Sequence, residues 1–359
     1  MRLRVRPMGL QDAENCVSLL ALHPEERRRY GALLEQLPAA WKRLIRTESL
    51  NSAVVEDVDG GAQIVAFGAT AFISDDFLRR LKTAPLVWMG PELVCRALAN
   101  DGAILSPAGI RDANSADGLN VAVWAGVTRA AGPQQQSLLL LQVARVFTRE
   151  HGGYRLKEII VQPNEISVAH VVLNMGVLPW LPSEDCYWYG RVPRLEEWIQ
   201  NPFIFGSTRE LAYESFGTWL SMLFSYSPPR IYFRPAEQRL LLAALRGLTD
   251  EELSDELGIS RSAVKKTWLM VYDRAAAALP GEWPDRAVDD AETKRGKEKK
   301  QHLLAYLRGH MEELRPVLPP RNGAGVTRTA TIRLASDKIA CPTNAGRKPG
   351  GRAEAVAQR

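Results

Sequence analysis

The chain has 359 residues, of which 46% are hydrophobic and 24% are charged, which is typical of a globular protein with room for two cores. The net charge of +5 comes from the end of the chain, because positions 321–359 hold eight Lys or Arg and two Asp or Glu. The sequence has no apolar run long enough to span a membrane, and its four cysteines lack metal-ligand or disulfide-framework spacing. We expect a cytoplasmic protein with reduced thiols, no signal peptide and no metal site.

Residues 1–195 predict one domain of mixed α and β structure. Alternating or continuous apolar runs indicate strands at 2–6, 52–58, 63–73, 119–127 and 156–161. Helical spacing of apolar residues indicates helices at 10–22, 25–47, 88–101, 137–151 and 164–174. The second and third strands are separated by Asp59-Gly60-Gly61, and Asp-Gly between two apolar runs is a strong hairpin signal.

This order of elements resembles the Gcn5-related N-acetyltransferase fold. The resemblance is carried by the loop from Arg129 to Gly132, the helix after it, and Asn164 with Gly176. In that family a splayed strand and the following loop present backbone N–H groups to the pyrophosphate of an acyl-CoA at a helix N-terminus. The resemblance therefore implies that acyl-CoA would be bound by Arg129, Ala130, Ala131, Gly132 and Gln134.

The same region departs from the family pattern at several positions. Gln134 replaces a final Gly or Ala, Pro133 supplies no N–H, and Val172 stands where a Tyr often serves as the acid. Residues 119–127 contain no Glu or His that could act as a general base. No catalytic residue is predicted, and three interpretations stay open: a fold that has lost its chemistry, a ligand-sensing domain, and an active N-acyltransferase.

Two other groups of residues have simpler interpretations. Glu165, Ser167 and His170 are close in sequence, but polar residues on an outer helix face explain them better than a catalytic triad. The positions 187–232 are rich in aromatic residues. We expect these aromatic side chains to pack around a connecting helix over 208–224, which lies within a linker at 196–230 between the two domains. An aromatic cage for a ligand is the alternative.

Residues 233–279 predict three short helices separated by Gly247 and Gly258. Pro235 suits a first helical position, and Thr249 with Glu252 forms a capping box. Gly258 fits the left-handed residue that ends a helix, and Ser260 can cap the next one. The third helix has an apolar stripe and an opposite face formed by Arg261, Ser262, Lys265, Lys266 and Leu269. Such a face can enter the DNA major groove.

This segment resembles the DNA-binding domain of the LuxR family of transcriptional regulators. The matching residues are Glu237, Leu240, Gly247, Glu252, Leu253, Leu257, Ile259, Ser260, Val264, Lys265, Trp268, Val271 and Tyr272. Arg234 and Thr267 depart from the usual Thr and His. The resemblance implies double-stranded DNA as a partner, contacted by Ser260, Arg261, Ser262, Lys265, Lys266 and Leu269, in a helix-turn-helix domain over 231–282. The helices also resemble region four of sigma factors, so a sigma-type protein that works with RNA polymerase is an alternative, and a helical bundle without nucleic acid is another.

The rest of the chain predicts a charged linker and an amphipathic helix over 283–320, followed by a tail at 321–359. The basic run Lys294–Lys300 is either a solvated face or a phosphate contact. The apolar stripe at Leu303, Leu304, Leu307, Met311 and Leu314 could pair two copies in a homodimer, and His302 and His310 are expected at the surface. The tail is expected to be disordered, and its charge could add DNA affinity. The sequence thus predicts a two-domain DNA-binding regulator.

Overall fold

A seven-stranded mixed sheet organises the first part of the chain. The computed structural model describes residues 2–129, 132–179, 194–214, 217–280 and 292–319. Its strands are β1 (Leu3–Pro7), β2 (Asn51–Asp57), β3 (Gln63–Ile73), β4 (Leu119–Thr128), β5 (Leu156–Val161), β6 (Leu178–Pro179) and β7 (Phe205–Thr208). The strand order is β1-β2-β3-β4-β5-β7-β6. Every neighbouring pair is antiparallel except β4 and β5, which are parallel.

The predicted hairpin and long strands are confirmed. The turn between β2 and β3 needs backbone with positive φ, which Gly61 (79°) and Ala62 (60°) adopt. Successive side chains point to opposite faces of the sheet, so Val54 and Phe67 enter one core while Val55 and Ala66 enter another. Both faces of this part of the sheet are therefore buried, which explains the continuous apolar runs in the sequence.

Eleven helices of the described residues precede the C-terminal part of the chain. They are α1 (Ala13–Leu20), α2 (Pro24–Tyr30), α3 (Leu37–Arg46), α4 (Asp75–Lys82), α5 (Met89–Ala99), α6 (Pro107–Ser115), α7 (Pro133–His151), α8 (Ile166–Asn174), α9 (Leu195–Gln200), α10 (Arg209–Glu214) and α11 (Trp219–Phe224). Helices α1, α3 and α5 pack on one face of the sheet, where Trp41 contacts Phe67 and Trp124 edge to face. Helix α7 packs on the other face through Leu139. The front of the chain is therefore a layered mixed α/β structure of the predicted class.

Two predicted helices are corrected by the structure. The segment predicted as helical over 25–47 divides into α2, a 3₁₀ turn at Gly31–Glu35, and α3, because Gly31 takes a positive φ of 51°. The helix predicted over 208–224 is wrong. Phe205–Thr208 forms β7, which pairs with both β5 and β6, and α10 and α11 follow it. Strand β7 has only four residues, too few for period-two alternation to identify it.

Three helices follow at the predicted positions, namely α12 (Pro235–Leu245), α13 (Asp250–Leu257) and α14 (Arg261–Ala278). The Thr249 hydroxyl accepts from the Glu252 N–H at 3.3 Å, and the Glu252 carboxylate accepts from the Thr249 N–H at 2.7 Å. Gly258 is left-handed with φ 62°, and the Ser260 hydroxyl accepts from the Ala263 N–H. The core of the three helices includes Leu240, Leu253, Val264, Trp268 and Val271. The predicted caps and apolar stripe are thus confirmed.

The last helix of the described residues, α15 (Glu292–Gly309), packs on these three helices. Leu303 and Leu307 are fully buried in the same core as Leu240. The Lys300 ammonium lies 2.8 Å from the Asp250 carboxylate and 4.8 Å from the centre of the Trp268 ring. The expectation that the apolar stripe of α15 pairs two copies is therefore wrong, because its side chains are buried against helices of the same chain. Homodimerisation through another surface stays a prediction.

The C-terminal helices contact the sheet domain through Arg315. Its guanidinium donates to the Gly152 carbonyl oxygen at 2.8 Å and lies 4.5 Å from the centre of the Tyr154 ring. Residues as far as Pro319 form one compact unit. The domain boundaries at 195, 230 and 282 stay predictions, and 283–291 and the tail at 321–359 lie outside the described residues. Among the described helices, none is long and apolar enough to cross a membrane.

Candidate functional site

Strands β4 and β5 separate partway along their length. They pair in parallel from Leu119 with Leu156 to Val123 with Val161, where β5 ends. Strand β4 continues to Thr128 and there pairs with β3 alone. The β3–β4 register shifts where Trp124 has no opposite partner, and such a bulge increases the bend of the strand. A cleft of about 510 Å³ opens between the diverging strands.

The walls of this cleft are mostly apolar. Strand β4 forms one wall, α7 and α8 contribute others, and Trp219 and Leu220 of α11 contribute a further part. The apolar side chains include Val123, Val127, Leu140, Val143, Phe147, Ile159, Val161, Val168, Val171, Val172 and Met175. A narrow apolar cleft of this size can take an extended aliphatic chain with few hydrogen bonds.

The loop predicted to hold a pyrophosphate lies where β4 meets α7. Helix α7 begins at Pro133, four residues earlier than predicted, so Gln134 belongs to its first turn. The first N–H groups of a helix have no partners within it and form an anion site, although Pro133 supplies none. Arg129 is less available than predicted, because its N–H donates to the Val65 carbonyl oxygen at 2.7 Å. Gly132 precedes the helix in extended backbone, and Ala130 and Ala131 lie outside the described residues.

A polar cluster at the cleft was missed in the sequence, and Glu26 of α2 is its central residue. Only 8% of Glu26 is exposed, and its carboxylate accepts a hydrogen bond from the Asn164 side chain. Burial raises the pKa of Glu26, while the Arg29 guanidinium, 3.7 Å away, opposes this rise. Beside it, His23 Nδ1 lies 2.7 Å from a Glu165 carboxylate oxygen. The cleft therefore contains a buried carboxylate with an increased affinity for a proton.

Arg29 fixes α2 against the end of β5. Its guanidinium donates to the carbonyl oxygens of Pro163 and Ile199, each at 2.7 Å, and lies 4.3 Å from the centre of the Trp88 ring. These contacts hold Glu26, one turn earlier on the same helix, at the cleft. Glu26 lies far in sequence from 119–127, the segment expected to hold a base, because α2 and β4 are about a hundred positions apart. The only local signal is the spacing of His23, Glu26 and Arg29 along one helix face.

Of the three residues weighed against a triad, the structure describes the side chains of Glu165 and His170. Glu165 is paired with His23, and His170 is exposed on α8. The Ser167 side chain lies outside the described residues. Of the two C-terminal histidines, His310 stacks on Tyr306 and lies 2.9 Å from Glu312, and His302 is exposed as expected. Among the described residues, no group of three or more His, Cys, Asp or Glu could hold a metal ion.

The residues predicted to contact DNA form an exposed face of α14. Ser262, Lys265 and Lys266 are exposed, and Leu269 exposes 64% of its surface. Arg261 is exposed but forms an ion pair with Glu251 of α13. Ser260 is occupied as the helix cap, and its hydroxyl lies 2.9 Å from that of Ser262. The structure therefore brings the six predicted residues together, and three of them, Ser260, Arg261 and Ser262, already have partners within the protein.

Comparisons with known proteins find no family from the sequence, and the solved structures they find are similar to this chain at low identity. Neither a protein-family model nor a curated protein matches the chain. Among solved structures, the C-terminal condensation domain of Ebony in complex with beta-alanyl-dopamine is 14% identical, with a TM-score of 0.34, over 58% of this chain and 99% of that one. A histone acetyltransferase and related acetyltransferase from Corynebacterium glutamicum is 13% identical, with a TM-score of 0.31, over 58% of this chain and 97% of that one. Drosophila melanogaster polyamine N-acetyltransferase is 13% identical, with a TM-score of 0.30, over 58% of this chain and all of that one.

The class of the fold follows from the strand order described above. A mixed α/β sheet with a splayed parallel pair, and a helix entered from the end of β4, resembles the Gcn5-related N-acetyltransferases. This likeness concerns the fold alone, because function depends on the site and not on the architecture.

Proposed function

We propose that the cleft binds an acyl-CoA between β4 and β5, and that the acyl group passes to an amine held near Glu26. The observation that carries this proposal is a buried carboxylate of raised pKa in the cleft between two splayed parallel strands. The apolar walls fit the pantetheine arm, and the first turn of α7 fits its pyrophosphate. Glu26 and Glu165 suit a cationic acceptor, since both carboxylates line the same cleft.

Beyond binding, acyl transfer requires the protein to accept a proton. An acyl-CoA supplies an activated acyl group, whose carbonyl carbon forms a bond to the amine nitrogen while the thioester bond breaks and CoA leaves as a thiolate that takes a proton from water. The cationic acceptor is an ammonium group, which must lose a proton before its nitrogen can attack, and Glu26 is our candidate to accept that proton. A carboxylate with a raised pKa is a stronger base than an exposed Glu, which favours this role near neutral pH. Asn164 and Arg29 keep the Glu26 carboxylate in place.

The test is a pair of matched variants. Glu26→Gln keeps the shape but cannot accept the proton, so we expect turnover of acetyl-CoA with a panel of amines to fall about 10²–10⁴-fold while acetyl-CoA binding is kept. The neighbouring, more exposed Glu25→Gln should leave turnover nearly unchanged. The wild-type rate should rise with pH through the pKa of Glu26, because the ionised form is the base. Equal rates in both variants would refute the role of Glu26.

Loss of turnover in Glu26→Gln must not be confused with unfolding. The raised pKa means that the folded protein binds a proton at Glu26 more tightly than the unfolded chain, so its contribution to stability is lost as the pH rises. Glu26→Gln removes this loss, and we expect the variant to be at least as stable as the wild type at neutral pH. Acetyl-CoA binding without turnover in the wild type would instead favour a ligand-sensing domain.

We propose as a second function that the exposed face of α14 binds double-stranded DNA and makes the protein a transcriptional regulator. What favours it is the contrast along one helix: Val264 and Trp268 are buried, whereas Lys265, Lys266 and Leu269 are exposed. Exposed lysines on a capped helix can reach phosphates and guanine edges. Such a regulator would act in the cytoplasm on transcription by RNA polymerase, and a homodimer would bind two half-sites.

DNA binding is tested by selection from a pool of genomic fragments. The wild type should enrich particular fragments, and Lys265→Ala/Lys266→Ala should abolish the enrichment without changing the melting temperature. Arg27→Ala/Arg46→Ala is the control, because both arginines are exposed and lie outside this face. Weak binding without sequence preference, equally affected in both variants, would contradict the proposal and leave the helices with a role in protein contacts.

A further inference from the structure

A second and larger cavity lies between the sheet domain and the C-terminal helices. This groove has a volume of about 1210 Å³ and is bounded by α7 and α11 on one side and by α12, α13 and α15 on the other. Six arginines line it: Arg145, Arg149, Arg230, Arg239, Arg246 and Arg308. We call it the arginine groove. It is separate in character from the acyl-CoA cleft, whose walls are mostly apolar.

The positive charge of the arginine groove is only partly neutralised. Three carboxylates line it, and each lies near a basic side chain. Glu150 lies 3.0 Å from Arg149, Glu256 pairs with Arg246, and Glu312 lies 2.9 Å from His310. Arg145 and Arg308 are exposed, and their guanidinium groups form neither an ion pair nor a hydrogen bond with any other described residue. The groove therefore presents two uncommitted guanidinium groups from opposite walls, α7 and α15.

The floor and rim of the groove also present apolar surface. Leu141 of α7 exposes 48% of its area and Met222 of α11 exposes 65%. Trp219, Leu242, Leu245 and Leu257 add further apolar area. Exposed apolar side chains that gather around one concavity, rather than scatter, mark an interaction site. Arginine and methionine are both enriched at protein interfaces.

We propose that the arginine groove binds an acidic amphipathic peptide segment of a partner protein, whose carboxylates meet Arg145 and Arg308 and whose apolar side chains cover Leu141 and Met222. The pattern matches recognition of an amphipathic helix in a hydrophobic groove with charges at its edge. Duplex DNA fits less well, because it is too wide for a concave groove and would leave the apolar floor without a partner. A small molecule fits less well too, since the cavity exceeds the usual range of about 300–1,000 Å³ for such sites.

The proposal is tested on the full chain with a fluorescein-labelled helical peptide. Its Leu residues are spaced to form one face of the helix, and its Glu residues form the opposite face. Binding is followed by fluorescence anisotropy. Arg145→Glu/Arg308→Glu should weaken binding by about tenfold or more, because attraction at two positions becomes repulsion. Arg27→Glu/Arg46→Glu makes the same change of charge at exposed, unpartnered arginines outside the groove and should leave binding within about twofold.

A second pair of measurements separates groove binding from general charge attraction. Leu141→Ser/Met222→Ser should weaken binding of the Glu/Leu peptide about tenfold, since it removes the apolar contacts that helix-in-groove recognition depends on. A peptide of Glu and Ser should bind weakly to all variants. Equal losses in the groove and control arginine variants, or equal affinity for the Glu/Ser peptide, would overturn the proposal. It would also be overturned if a short DNA duplex or a fatty carboxylate bound in the groove while the Glu/Leu peptide did not.

Discussion

His151, the last residue of α7, gives a pH dependence of stability that can be worked out from its contacts. Only 2% of it is exposed. Its Nδ1 lies 2.9 Å from the Phe147 carbonyl oxygen, which can only accept, so Nδ1 carries the proton. Nε2 then accepts from the Thr70 hydroxyl at 2.8 Å. Both ring nitrogens are satisfied in the neutral form, and burial lowers the pKa of His151 to about 4.

The sign and size of the effect follow from this shift. Between the unfolded pKa of 6.5 and about 4, the unfolded chain binds a proton that the folded protein does not. The stabilisation is therefore present above pH 6.5 and is lost as the pH falls toward 4. A lowering by about 2.5 units corresponds to roughly 3 kcal/mol, of which roughly 2.5 kcal/mol is lost between about pH 7 and pH 4.5.

The assay is urea unfolding of wild type and His151→Gln at these two pH values. Gln can keep a donor and an acceptor but does not titrate, so its loss of stability on acidification should be smaller by roughly 2.5 kcal/mol. His170→Gln, at an exposed position on α8, should lose as much as the wild type. The same loss in wild type and His151→Gln would refute the reasoning, because it would show that His151 does not remain neutral in the folded protein.

Further predictions concern packing of the C-terminal helices. Gly153 has φ 81°, and an added Cβ would lie 2.3 Å from the Glu312 backbone nitrogen, so Gly153→Ala should displace the chain around Glu312 and lower the free energy of unfolding. Gly217 has φ 85°, and an added Cβ there would meet open space, so Gly217→Ala should lower the free energy of unfolding only by the backbone strain of about 1–2 kcal/mol. An equal loss of stability in the two variants would contradict the close contact at Gly153. Leu307→Ala should cost about 2–5 kcal/mol in urea unfolding without changing the sedimentation coefficient; a change of oligomeric state at full stability would restore the dimer interpretation of α15. Val264→Asp places a charge in the core of the three helices, and its circular dichroism should show that they unfold.

Local signals in the sequence were enough to predict the long elements of this chain. Three short motifs each determine the backbone conformation of only a few residues, and each is found where the sequence predicts it. They are the Asp59-Gly60-Gly61 turn, the capping box at Thr249 and the left-handed Gly258. Strands β3 and β4 are long enough for their apolar pattern to identify them. Burial of α15 against α12 could not be predicted, since an apolar stripe indicates that a helix is covered but not by which partner.

The polar groups of the cleft could not be predicted because they depend on long-range contacts. Strand β7 is a short segment whose identity comes from pairing with β5, not from its own residues. In the sequence, Glu26 is one of several charged residues on a predicted surface helix. It is buried only because α2 packs against the end of β5. Its raised pKa is thus a property of the assembled fold and has no counterpart in local sequence.

This origin of Glu26 bears on how departures from the acetyltransferase motif pattern should be interpreted. The absence of Glu and His from 119–127, and of Tyr at position 172, favoured a domain without chemistry. That inference assumed that the base must come from β4 and the acid from α8. A cleft between two splayed strands is lined by every element that packs on it, so a proton acceptor can come from any of them. Here α2 provides the buried carboxylate, and Arg29 holds that helix in place. Loss of a motif residue on one element is therefore insufficient to predict loss of catalysis.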